Sequence, residues 1–92
     1  MLPISGRTTV TTAGTEVVLG NMEVHGAVMV KALHTNTGLV YIGESGGGVS
    51  STTGMHLNAD DVVIFQKIGD LSDIWVDSAV NLEGVAWLLL NT

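Results

Sequence analysis

Three histidines, nine carboxylates and one run of glycines and serines are the groups in this chain with chemistry to offer. His25 precedes Gly26 in a loop, His34 closes a strand beside a turn, and His56 follows a glycine-rich stretch. A catalytic base needs a nucleophile or a metal within reach. The spacing gives none of these histidines such a neighbour, so they read as polar residues at strand ends. Asp60 and Asp61 are adjacent carboxylates of the kind calcium favours. No Asp-x-Asp-x-Asp-Gly loop follows them, and the pair reads as a turn that blunts the start of a strand. Asp73 and Asp77 share a strand face two pleats apart, with Asp70 just before, which suits a solvated edge. Gly46 to Gly48 is not followed by Lys-Ser/Thr or by a helix, so it is no phosphate loop. The serines beside it lack a Gly-x-Ser-x-Gly frame. The chain reads as having no catalytic, metal or cofactor site, and as not being an enzyme.

Composition points toward a binding role. The 92 residues fit one domain, with a core too small to be stable by a wide margin. Cysteine is absent, which removes disulfides and thiolate metal sites as support. Self-association or docking on a larger partner is the support that remains. Hydrophobic residues reach 46% and charged residues only 13%, against about 25% charged in ordinary domains. Leftover apolar surface of this kind marks an interface. The formal net charge is −6, and Arg7, Lys31 and Lys67 are the only Lys or Arg residues. That balance argues against nucleic acid and against anionic membranes as partners. No basic leader and no apolar run of membrane length is visible, so the expectation is a soluble protein made in a cytoplasm.

Valine, threonine, isoleucine and leucine dominate, with glycine between them at short intervals. No stretch keeps a 3.6-residue period for three turns, and the pattern is that of strands. Strands are expected at residues 7–12, 15–19, 27–34, 39–43, 61–67, 72–77 and 85–90, with an eighth short piece at 55–57. Thr35 to Gly38 reads as a hairpin turn with Gly38 free to take positive φ, and Ala79 to Gly84 as a similar link using Asn81 and Gly84. Glu44 to Gly54 is a flexible loop by composition, a candidate to order on a partner. The domain plan is an N-terminal arm, residues 1–6, and one all-β unit, residues 7–92. The fold expected is a compact antiparallel β-sandwich, jelly-roll-like, of seven or eight short strands.

Alternate strand residues face opposite ways. Val28, Val30 and Ala32 oppose Met29, Lys31 and Leu33. Val62 and Ile64 oppose Val63 and Phe65. Val85, Trp87 and Leu89 oppose Ala86, Leu88 and Leu90. A monomeric sandwich should show one apolar and one polar face per strand. Several strands here are apolar on both, and a second subunit is the simplest cover, with closed symmetry expected. In the strand at 72–77, Ile74 and Val76 face one way. Trp75 faces the other, between Asp73 and Asp77, as a half-exposed contact residue.

One further signal is a resemblance. It runs through Val30-Lys31-Ala32-Leu33-His34-Thr35-Asn36-Thr37-Gly38, Val40-Tyr41-Ile42-Gly43 and Gly54-Met55-His56-Leu57 with Asp61-Val62-Val63-Ile64. It continues through Leu71-Ser72-Asp73-Ile74-Trp75-Val76-Asp77 and Gly84-Val85-Ala86-Trp87-Leu88. This order resembles bacteriophage capsid decoration (cement) proteins and related small virion β-sandwich proteins. Ala59-Asp60-Asp61 departs from the Pro-Gly-Glu type of turn typical there. The resemblance implies a sandwich, often a jelly roll, that assembles with itself and with a particle, and it implies no catalytic residues. The expected function is therefore decoration of an assembled capsid as a homotrimer bound to major capsid proteins at the virion surface. Met29, Leu33, Trp75 and Leu88 are the expected subunit contacts. Leu2, Pro3, Ile4 and Val49 are the expected capsid contacts. The rival readings are a tail, fibre or baseplate accessory protein and a small carbohydrate-binding sandwich built on the few aromatics, Trp75 first.

Overall fold

The structure, a computed structural model, describes residues 5–24, 26–44, 49, 53–66 and 69–90. Eight strands follow in order: β1 (Ser5–Val10), β2 (Val17–Val18), β3 (Ala27–Ala32), β4 (Val40–Glu44), β5 (Met55–Leu57), β6 (Val62–Phe65), β7 (Ile74–Ser78) and β8 (Glu83–Leu90). A single 3-10 turn, Leu71–Asp73, leads into β7. Its first turn is capped by the Asp70 carboxylate, which accepts from Ser72 N at 2.9 Å.

The strands form two four-stranded sheets, β1-β8-β3-β6 (sheet I) and β2-β7-β4-β5 (sheet II). All six pairings among the described residues are antiparallel: β1 with β8, β2 with β7, β3 with β6 and β4 with β5 along the ribbon, and β3 with β8 and β4 with β7 across it. The chain therefore behaves as one long ribbon, folded at the β4–β5 loop and rolled so that its halves alternate between sheets. That is the strand order of a jelly roll. The all-β sandwich expected from sequence is the observed architecture.

The core lies between the sheets and follows from strict alternation. Sheet I contributes Val28, Val30, Ala32, Val85 and Leu89; sheet II contributes Val40, Ile42, Leu57, Ile74 and Val76. Leu19, Val24 and Leu71 seal the ends. Each of these aliphatic side chains larger than alanine stabilises the fold by about 1.5–3 kcal/mol on burial. Trp87 stacks beneath Gly6, where a Cβ would lie 2.5 Å from its ring, and its Nε1 donates to Thr8 Oγ1 at 3.3 Å.

Several boundaries differ from the sequence reading. β1 begins at Ser5, so it takes in two residues assigned there to the arm. β2 keeps only Val17 and Val18 of the expected 15–19. The larger difference is in connectivity. β3 lies in sheet I and β4 in sheet II, so residues 33–39 form a crossover and not a hairpin. The same holds for the link from β7 to β8. Asn and Gly mark a chain reversal but do not say whether the two strands share a sheet. Asn36 is buried and pins the crossover, its Nδ2 donating to Gly84 O at 2.8 Å. Gly38 serves close approach rather than positive φ, since its Cβ would meet Val80 Cγ2 at 2.8 Å. In the β7–β8 link the positive φ falls on Leu82, at 67°. Gly84 sits inside β8 instead, where a Cβ would come within 2.0 Å of Thr8 O.

Candidate functional site

The outward side of sheet I is built by the same alternation that fills its core. Cross-strand register puts Ser5, Leu88, Met29 and Ile64 in one row, and Arg7, Ala86, Lys31 and Val62 in the next. Ala27 and Leu90 form a third. No acid stands in these rows. Val62 and Ile64 are each 48% exposed. Over the central strand β8 the face is concave, an open groove of about 360 Å³. Ala86 and Leu88 form its floor, Arg7 lines the β1 side, and Met29 and Lys31 line the β3 side.

Charge on this face is one-sided. Two of the chain's three cations, Arg7 and Lys31, flank Ala86 in a single row. Lys31 Nζ also reaches Asp60 Oδ1 at 3.4 Å, beyond the end of the face, and His34 Nδ1 is hydrogen-bonded to Asp60 Oδ2 at 2.7 Å. The His34 bond, with Lys31 behind it, holds the Asp60 carboxyl below its ordinary value. Asp60 itself sits in a tight turn at φ 70°, with Asp61 N donating to Asn58 O.

The outward side of sheet II is also rich in large side chains, but the chain covers much of it. Val18, Trp75 and Gly43 form one row, and Asp77, Tyr41 and His56 the next. Val49 lies over Gly43 and Gly54 and is only 6% exposed, its N donating to Glu16 Oε2 at 2.6 Å. Asp77, 2% exposed, accepts from Gly14 N at 3.0 Å and from Ser78 N at 2.8 Å. Tyr41 is buried with the His56 ring against it edge-on at 5.0 Å. Trp75 Nε1 is buried with no hydrogen-bond partner among the described residues.

The residues singled out in the sequence separate accordingly. Met29 and Leu88 are direct cross-strand neighbours on the bare face of sheet I. Leu33 is half-buried just past the end of β3. Trp75 belongs to the outward side of the other sheet and is not brought near them. Val49, expected on the surface, is packed inside the chain's own cover. Asp77, expected on a solvated edge, is buried because the 11–16 loop folds over it and supplies a backbone donor. Leu2, Pro3, Ile4 and His25 lie outside the described residues. His34 and His56 are exposed. Among the described residues no three His, Asp or Glu side chains stand together as metal ligands.

Sequence reasoning passed over Leu82, which is 69% exposed and in the left-handed region. Neither feature has a local signal, because Ala79 to Gly84 carries ordinary turn residues on both sides of it. Comparison with protein-family models, characterised proteins and solved structures found no match for this chain.

Proposed function

We propose that this protein is a virion structural subunit that decorates and stabilises an assembled capsid, acting as a homotrimer on major capsid proteins. The observation that carries the reading is the bare outward face of sheet I. On that side of a 92-residue domain Val62 and Ile64 are each 48% exposed, and Met29, Ala86 and Leu88 stand half-buried beside them. A contiguous, partly exposed apolar patch of this kind suits a protein-binding surface. The jelly roll adds support by analogy of fold alone, since viral capsid domains use it repeatedly.

The mechanism is mass action. A subunit that binds the assembled shell and not its free parts stabilises the shell by the free energy of that binding. Oligomers present several such contacts at once, so weak individual contacts add through avidity. Self-association uses the sheet I face, and Leu2, Pro3 and Ile4, immediately before β1, reach the shell. The same contacts serve a tail, fibre or baseplate accessory equally well. The carbohydrate-binding reading has less to draw on. Tyr41 is buried, and Phe65, Trp75 and Trp87 are half-buried, so none offers an open stacking platform.

Immunogold labelling of virions from the phage that carries this gene tests the proposal. Label distributed over heads supports decoration. Label confined to tails moves the protein to the accessory reading, and unlabelled virions end the virion assignment. Deleting residues 1–4, which leaves β1 intact, is expected to abolish capsid binding without lowering the melting temperature of the free protein.

A further inference from the structure

The β7–β8 link carries a second apolar feature. Val80 and Leu82 project from it, 38% and 69% exposed. This tip is held firmly. Leu82 N donates to Val10 O at 2.7 Å, Ser78 Oγ donates to Val80 O at 2.7 Å, and Ala13 N donates to Asn81 Oδ1 at 2.7 Å. Leu82 sits at φ 67°, a conformation that bulky side chains rarely adopt. Strain of this sort persists where the surroundings over-determine it, commonly at binding sites.

The groove on sheet I has the complementary character. It is concave and apolar, with Arg7 and Lys31 at its rims, Lys31 also paired with Asp60 at 3.4 Å, and no acid in its lining. Residues 77–90 around the tip contain the buried Asp77 and, next to Leu82, Glu83, whose carboxylate also accepts from Thr37 and Gly38, and no cation. A strand rises about 3.3 Å per residue, which puts the tip roughly 13 Å from Ala86 along the same chain. A tip cannot fill its own groove, but it can fill that of another copy.

We propose that copies of this chain join head to tail, the Val80–Leu82 tip of one seated in the groove of the next between Arg7 and Lys31. Knob and groove are different surfaces, so the contact is heterologous and closes into a ring when the rotation permits. A trimer is the ring that fits the function proposed above. This inference rests on the self-association part of that reading and is independent of what the oligomer binds.

Sedimentation velocity on the full-length protein tests it, with circular dichroism to confirm folding. Leu82→Asn keeps a residue that tolerates positive φ and removes the knob. Ala86→Tyr fills the groove with a strand-favouring side chain, and Met29→Glu replaces it if that variant does not fold. Each single variant is expected to weaken self-association about 30-fold. An equimolar mixture of the knob and groove variants retains one intact junction per pair. It is expected to give a two-chain species at concentrations where each variant alone is monomeric. Folded Leu82→Asn with wild-type self-association overturns the head-to-tail contact while leaving an oligomer in place. A mixture that stays monomeric overturns it as well. A wild-type protein that is monomeric throughout removes the oligomer itself.

Discussion

The two outward faces of this sandwich begin with similar material and end differently. Both carry large side chains where a solvated sheet would carry polar ones. On sheet II the chain turns back over them: Val49 packs on Gly43 and Gly54, and Gly14 caps the buried Asp77. On sheet I, Val62 and Ile64 stay 48% exposed and Met29 and Leu88 stay half-buried beside them. Apolar alternation on both sides of a strand therefore has two outcomes. The difference lies in which described residues outside the strands pack back on each sheet. Val49, between β4 and β5, packs on sheet II, and Gly14, in the link from β1 to β2, caps Asp77 there.

Substitutions that touch the cover and the bare face should separate them. The largest effect is expected at Gly84, the place on the outward side of sheet I where the chain's own backbone lies close. A Cβ there would sit 2.0 Å from Thr8 O and 2.7 Å from Thr9 Cα, so Gly84→Ala must push β1 off β8. A loss of about 3 kcal/mol is expected in urea unfolding. Wild-type stability in that variant would mean that β1 does not pack there. Next comes Val49→Ala, which thins the cover of sheet II. About 2 kcal/mol should be lost, with Tyr41 fluorescence reporting greater exposure. On the bare face the sign of the comparison reverses. Ile64→Lys and Val62→Lys should change monomer stability by no more than about 0.5 kcal/mol, yet block self-association. Strong destabilisation by either would show that the face is covered within the subunit.

The smallest effect concerns the crossovers at one end of the sandwich. Glu83 accepts from Gly38 N at 3.0 Å and Thr37 N at 2.7 Å, and these bonds hold its carboxyl below the ordinary glutamate value. A lowered acid contributes stability above its unfolded pKa, near 4.3, and loses it as pH falls through the lower folded value. Below about pH 4 the Thr37 and Gly38 amides should show faster hydrogen exchange, and Glu83→Gln should remove that pH dependence.

Much of the architecture was legible in the chain. Alternation alone sorted Val28, Val30 and Ala32 from Met29 and Lys31, and Val85 and Leu89 from Ala86 and Leu88, onto the faces observed. The short eighth piece expected at 55–57 is β5. What alternation does not carry is which strand lies beside which. The reversals at Thr35–Gly38 and Ala79–Gly84 look like hairpins because turn chemistry is local, while membership of a sheet depends on residues far away. Of the candidate site, Met29 and Leu88 were legible from their own strands. The burial of Val49 and Asp77 was not, since each is covered by a segment distant in sequence. Leu82 was hidden for another reason: its exposure and its φ come from the bonds that Val10 and Ala13 make around it.

The claim on which the rest depends is that the sheet I face is hidden by another copy. Static light scattering of the wild-type protein over a hundredfold range of concentration tests it most directly. The account requires a mass that climbs from 9.6 kDa toward about three times that value. A mass fixed at one chain across the whole range would contradict it.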